Sequence, residues 1–269
     1  MSEKYLHGYT TEEQKRLQSQ AEFLYNFVYK DIDYSGCKKL LEVGCGVGSQ
    51  TQILLEKFPE ISVTGIDISE EQIKQAKSNL SDTLNFAWRY DFICCDANHL
   101  PFESDSFDSA FLCWVLEHIN NPEKVMNEIN RVLMPESKIY ITEVFNHSLF
   151  LHPEKESIKR YWKMYNKYQS ENGGDPDIGV KIGNILRKTG FKNIEMKPLI
   201  RQVDTRNIEE RNLMFDYWLA LLLSGKNNLL NAKMLDNDLI FQLITDFEDL
   251  KNDKESIFFY NGFQWSCSK

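Results

Sequence analysis

Between residues 38 and 145 the apolar positions change period again and again. KKLLEV (38–43) is a short apolar run, and SQTQILLEKF (49–58) carries its apolar residues at helical spacing. ISVTGID (61–67) is rich in β-formers, EEQIKQAKSNL (70–80) is helical with Ser69 as its cap, and YDFICCDA (90–97) is strand-like again. FDSAFLCWV (107–115) predicts a fourth strand, NPEKVMNEINRVL (121–133) a helix starting near Pro122, and SKIYITEVF (137–145) a fifth strand. Strand runs suited to burial on both faces, alternating with helices, predict a doubly wound, mostly parallel sheet with helices on its two sides. Ahead of this unit, Leu17, Ala21, Leu24 and Val28 lie at helical spacing behind a Thr10 or Thr11 cap and first-turn glutamates. They predict an amphipathic helix over 11–30.

After Phe145 the rhythm breaks. Residues 146–177 mix aromatic and polar side chains and end in a GGDPD loop, after which IGVKIGNILRKTG reads as helix and FKNIEMKPLIRQV as strand. Residues 206–253 hold the helical stretches NLMFDYWLALLLSG and LIFQLITDFEDL, and ESIFFYNGFQWSCSK suits a last strand. The expected organisation is one α/β domain over 1–269, with an N-terminal segment and helix at 1–30 and a core at 38–145. Two helical insertions, 146–177 and 206–253, would cover one end of the sheet.

Composition narrows the function. The net charge is −9 and no basic block occurs, so generic binding to DNA or bulk RNA is disfavoured. No apolar run approaches the roughly 20 residues of a membrane-spanning helix, and the N-terminus lacks a signal-peptide core, so a soluble cytoplasmic protein without a membrane partner is expected. The six cysteines form no CxxC pair and read as reduced, mostly buried thiols. His147 and His152 have no third ligand at metal-site spacing, and no metal is expected.

The chemistry concentrates at LLEVGCGVGSQT (40–51), where Gly44, Gly46 and Gly48 follow the first strand. Glycines at such a bend let a ligand lie on the main chain, and the amides opening the next helix favour an anionic group. A dinucleotide fingerprint would place its last glycine at position 49, which is Ser49. Asp67, ending the second strand, can accept from both hydroxyls of a ribose and suits either cofactor class. Glu42 before the glycines, and Asp96 with Ala97 after the third strand, separate the two classes.

These stretches, with VTGIDIS and CCDANHLPFESDSFDSAFLCWVLEHINNPEKVMNEINRVLMP at their spacing, resemble the class I S-adenosylmethionine-dependent methyltransferases of the ubiquinone-biosynthesis-like, or type 11, group. The resemblance covers 38–145 and departs from the family at LMPES (133–137), where a Pro-Gly-Gly turn is usual. It implies a Rossmann-like sheet of seven strands with the last one antiparallel. It also implies S-adenosylmethionine as cofactor and S-adenosylhomocysteine as product. Gly44, Cys45 and Gly46 would carry the methionine part, with Glu42 near its ammonium group. Asp67 would hold the ribose, Ile68 would lie on the adenine, and Asp96 and the Ala97 amide would meet the adenine edge. Cys113 would offer its carbonyl to the ammonium, with Trp114 beside it.

Methyl transfer needs a close, aligned nucleophile and exclusion of water, and a base only where the acceptor must lose a proton. His118, Glu143 and His147 are the candidates for that base, with a structural role as the alternative for each. Tyr5 or Tyr9 could close the site, while Arg16 or Gln20 reaches the cofactor carboxylate. Tyr161, Tyr165 and Trp218 lie among aromatics that favour an enclosed, partly apolar pocket for a small-molecule acceptor. The readings left open are a protein or RNA acceptor and a cofactor-binding sensor without catalysis. The acceptor, the methylated atom and the oligomeric state are open as well.

Overall fold

Strand β1 (Lys39–Val43) illustrates how the sheet divides its neighbours: Leu41 and Val43 face one layer of helices and Leu40 the other. Strand β4 (Phe107–Cys113) repeats this period of two, with Ala110 and Leu112 on one side and Phe111 and Cys113 on the opposite one. The computed structural model describes residues 6–8, 11–81, 86 and 88–269. Helices α1 (Thr11–Phe23), α2 (Tyr25–Tyr29), α3 (Ser49–Lys57) and α4 (Glu70–Ser81) belong to the Leu40 face. Helices α5 (Pro122–Val132) and α7 (Ile182–Lys188) belong to the Leu41 face. Asn121 caps α5 by accepting from the Lys124 amide, with Pro122 at its first position.

Strands β2 (Ser62–Asp67), β3 (Tyr90–Cys94) and β5 (Leu133–Glu143) complete the parallel part, in the order β3-β2-β1-β4-β5. The order reverses between β1 and β4, which opens a crevice beyond their carboxyl ends. Strand β8 (Ile257–Ser268) runs antiparallel beside β5, and β7 (Lys192–Val203) pairs with the far side of β8. The sheet is therefore mostly parallel and Rossmann-like, with the last strand antiparallel. An eighth strand, β6 (Phe150–His152), also pairs with β8. Its three residues, with only Leu151 buried, are too short to leave a period, and they lie inside a stretch that the sequence presents as helical cover.

Two boundaries differ from the sequence pattern. The helix expected over 11–30 divides at Leu24, whose carbonyl accepts from both the Phe27 and the Val28 amides. That tightened turn brings Leu24, Val28 and Tyr29 into the core. The LMPES stretch is not a separate turn but a bulge within β5: Leu133 pairs with Phe107 and Lys138 with Ser109.

Helices α6 (Glu156–Glu171), α8 (Ile208–Ser224), α9 (Lys226–Asn231) and α10 (Asn237–Asn252) form a third apolar cluster. It includes Phe258 of β8 and Val203 of β7. Because β8 is antiparallel and Phe263 pairs with Glu143 at the end of β5, residues 257–262 extend past the carboxyl end of β5. The helical cover is thus fixed over the crevice end of the sheet.

Candidate active site

A cavity of about 1150 Å³ spans the space between the crevice and the cover. Its floor begins at the glycine turn. The Gly44 and Cys45 amides donate to the Ile66 carbonyl at 2.8 and 2.9 Å, which ties the turn to β2. Gly44 has φ +72°, and a Cβ there would lie 2.5 Å from Val115 Cγ2. Gly46 also has positive φ, but a Cβ would meet nothing within 4 Å. Gly44→Ala should therefore combine left-handed strain with overpacking and cost ~2–4 kcal/mol. Thermal melting should fall by about 5–10 °C, and a drop no larger than that of Gly46→Ala would refute the steric argument.

Glu42 does not line this cavity. It shares the face of Leu40, is buried, and accepts from Thr51 Oγ1 of α3 at 2.5 Å. Burial pushes its carboxyl up to about 8, against the opposing Thr51 hydrogen bond. Glu42 was expected beside an ammonium group; here its side chain fastens β1 to α3 beneath the turn. The residues after β2 and β3 do line the cavity: Asp67, Ile68, Asp96 and Ala97. Asp67 accepts from the Gly46 amide at 3.0 Å and from the Ser69 amide at 2.9 Å. Ile68 is 60% exposed, unusual for so apolar a side chain beside a cavity. Asp96 accepts from the Asn98 amide and side chain, which fixes the loop after β3.

At the end of β4, Cys113 and Trp114 line the cavity, and Trp114 has φ +56°. A bulky residue in that region is strained and persists only where its surroundings hold it. Glu143 does much of the holding. One of its carboxyl oxygens accepts from the Val115 amide at 2.9 Å and the Leu116 amide at 2.6 Å. Glu143 is fully buried and absent from the cavity wall, so its placement is that of a clamp on the β4 turn instead of a base at the acceptor. The turn continues as the short 3-10 helix Leu116–His118. There Glu117 and His118 line the cavity, His118 Nε2 lies 3.7 Å from Glu117 Oε1, and Gln169 donates to Glu117 Oε2 at 2.7 Å.

On the α1 side, Arg16 and Gln20 both line the cavity. Arg16 makes a two-pronged pair with Glu13 at 2.7 Å and donates to Gln20 at 2.5 Å. Tyr5 and Tyr9 lie outside the described residues, but His7 between them is buried at the cavity wall. The cover contributes Tyr165, Trp218, Tyr217 and Tyr260. Tyr161 does not reach the cavity: it is wholly buried and donates to the Leu222 carbonyl at 2.7 Å, joining α6 to α8. His147 stands apart too. Its side chain is 73% exposed and paired with Asp177 away from the cavity wall. Among the described residues no group of three or more His, Cys, Asp or Glu could hold a metal, and no helix is long and apolar enough to cross a membrane.

Sequence reasoning left His7, Glu117, Gln169 and Tyr260 without a role. Glu117 adjoins His118 in LEHI, the one local signal available. The others arrive from the N-terminal segment, α6 and β8, whose meeting only the fold determines.

Comparison with known proteins places this geometry. The family described as "Methyltransferase domain" matches residues 41–141, from β1 to β5. O-methyltransferase rstn1 of Aspergillus nomiae is 29% identical over 158 residues, covering 59% of this chain and 66% of the relative. O-methyltransferase cnsE of Penicillium expansum is 31% identical, covering 58% of this chain and 53% of the relative. The chain thus spans between about half and two thirds of the length of these curated relatives. In fold it resembles Haemonchus contortus phosphoethanolamine N-methyltransferase 2, solved with phosphomonomethylethanolamine and S-adenosylhomocysteine. That likeness has a TM-score of 0.56 and 20% identity, over 95% of this chain and 52% of that one. From β1 to β5 the chain matches the methyltransferase-domain family, and its fold is that of solved S-adenosylmethionine-dependent methyltransferases.

Proposed function

We propose that the protein transfers the methyl group of S-adenosylmethionine to a hydroxyl of a small molecule. The observation that carries this reading is the single cavity in which the glycine turn and the ends of β2, β3 and β4 meet an aromatic cover. The residues fit the cofactor. Gly46 leaves open space where any other residue would project a Cβ, and Asp67 is fixed by two amides with its carboxylate on the wall. Ile68 presents an exposed apolar face suited to a purine ring. In this reading Asp67 binds the ribose hydroxyls, Ile68 packs on the adenine, and Asp96 with the Ala97 amide meets its edge. Gly44, Cys45 and Gly46 bear the methionine part. The Cys113 carbonyl binds the ammonium group, and Arg16 or Gln20 the carboxylate. The bound cofactor supplies a methyl group on a sulfonium, ready for in-line displacement.

Acceptor size and chemistry are inferred from the cover. Trp162, Tyr165, Tyr217, Trp218 and Tyr260 bring the aromatic side chains of the cover to the cavity wall, a setting for a compact and partly apolar molecule. The choice of oxygen follows the names of the relatives, which are O-methyltransferases. Incubation with methyl-labelled S-adenosylmethionine and fractionated cell extract tests the reading. Label is expected in low-mass hydroxyl compounds and lost in a cofactor-site variant. Label only in protein or RNA would overturn the acceptor class, and cofactor binding without transfer to any fraction would favour a sensor.

A further inference from the structure

Beside the cover stands a buried histidine that the cofactor reading does not use. His7 lies at the cavity wall with one ring nitrogen, Nδ1, on Ser224 Oγ of α8 and the other, Nε2, 3.0 Å from the Tyr165 hydroxyl of α6. Ser224 is matched by one tautomer of the ring. Ser224 Oγ donates its own hydrogen to the Leu221 carbonyl at 2.7 Å, so toward His7 it accepts. In the tautomer that carries its proton on Nδ1, Nε2 offers a lone pair to which the Tyr165 hydroxyl donates. Tyr165 is held in place by Trp162, whose ring stacks on it at 5.1 Å and meets Trp218 edge-on at 5.3 Å.

We propose that Tyr165, backed by His7, takes the hydroxyl proton of a phenolic acceptor during methyl transfer. The proposal rests on the hydroxyl-methylating function above and names its substrate class. As the acceptor oxygen bonds to the methyl carbon, its O–H bond breaks and the proton passes to Tyr165 Oη. The proton of Tyr165 passes to His7 Nε2, and the electron pair of the broken sulfur–carbon bond stays on sulfur. His7 then loses its proton to water.

Two properties select a phenol. Burial, with Arg16 on α1 and His118 on the β4 turn facing the ring, holds His7 well below its ordinary value. It is neutral and available at pH 7, but a weak base. A phenol, with a pKa of about 10, lies within reach of such a base, whereas an alkanol, as weak an acid as water, lies far beyond it. The aromatic walls formed by Trp162, Trp218 and Tyr260 also suit a planar ring.

The test uses the full chain with methyl-labelled S-adenosylmethionine and three probes, 2-naphthol, cyclohexanol and aniline. Label is expected on 2-naphthol and not on cyclohexanol. Tyr165→Phe and His7→Gln should each lower kcat for 2-naphthol by about 10²–10³-fold, with KM and S-adenosylhomocysteine affinity changed less than about threefold. The deficit should shrink as pH approaches about 10, where the acceptor ionises unaided; a merely structural lesion would keep the same deficit at every pH. Transfer to 2-naphthol that survives both substitutions overturns the relay alone, while label confined to aniline or cyclohexanol overturns the phenol and, for aniline, the hydroxyl function too. Independently of turnover, the ¹⁵N spectrum of histidine-labelled protein should show His7 as the Nδ1–H tautomer, neutral below pH 6.5. An Nε2–H tautomer, or ordinary titration, overturns the assignment even if none of the probes is methylated.

Discussion

Replacing Asp67 by alanine should weaken S-adenosylhomocysteine binding by about 10²-fold or more. The carboxylate already accepts from the Gly46 and Ser69 amides, which fixes its orientation, and it lines the cavity at the end of β2. Two hydrogen bonds from ribose hydroxyls to an ionised carboxylate contribute about 1.5–3 kcal/mol each. Part of that gain is offset by the burial that raises the Asp67 pKa. Asp67→Asn keeps an acceptor oxygen and loses the charge, so it should fall between the wild type and alanine. Alanine also leaves two amides short of their partner, and a modest loss of melting temperature should accompany the loss of affinity. Calorimetric titration with S-adenosylhomocysteine reads the first effect, and melting without ligand the second. An affinity within threefold of the wild type would remove Asp67 from the cofactor site.

The positions that the sequence made legible are those fixed by main-chain periodicity. Gly44, Gly46, Asp67 and Asp96 each end or follow a strand, and strand ends in a doubly wound sheet converge on one crevice whatever the side chains do. Side-chain direction was harder. Glu42 and Gly44 are two residues apart, yet Glu42 belongs to the face toward α3 and hydrogen-bonds Thr51. Glu143 precedes the rim by a single residue, since Val144 lines the cavity while Glu143 turns inward to the Val115 and Leu116 amides. Such choices depend on which side of the pleat a residue occupies, and a one-residue shift reverses them. The cover was legible as helix-rich but not as a wall. Tyr161 and Tyr165 are four residues apart on one face of α6, but α8 claims the first through the Leu222 carbonyl and the cavity receives the second. His7 was beyond reach because its partners, Tyr165 and Ser224, are supplied by two distant helices.

The inward turn of Glu143 also makes stability depend on pH. Burial, with the Glu117 carboxylate nearby, raises Glu143 to about 8, and its second carboxyl oxygen has no hydrogen-bond partner among the described residues. Glu42 is raised to about 8 as well. Both start from an ordinary value of 4.5 in the unfolded chain. Between those values the folded state holds protons that the unfolded chain releases, so the stability present below pH 4.5 is lost as pH rises through 8. Each group forfeits ~1.4 kcal/mol for every pH unit climbed inside that window, and so is able to withdraw several kcal/mol by its top. His7 acts with the opposite sign: its lowered value means that the unfolded chain takes up a proton below pH 6.5 which the fold refuses. Melting temperature should therefore be highest in mildly acidic solution and fall by roughly 10 °C toward pH 8 to 9. Glu143→Gln keeps an acceptor for the Val115 and Leu116 amides but has nothing to ionise, so it should melt with about half the wild-type slope between pH 6 and 8. Melting curves of both proteins at intervals across that range decide the matter. Equal slopes would mean that Glu143 is already ionised in the fold at neutral pH, and that the β4 turn is held by a carboxylate instead of a neutral acid.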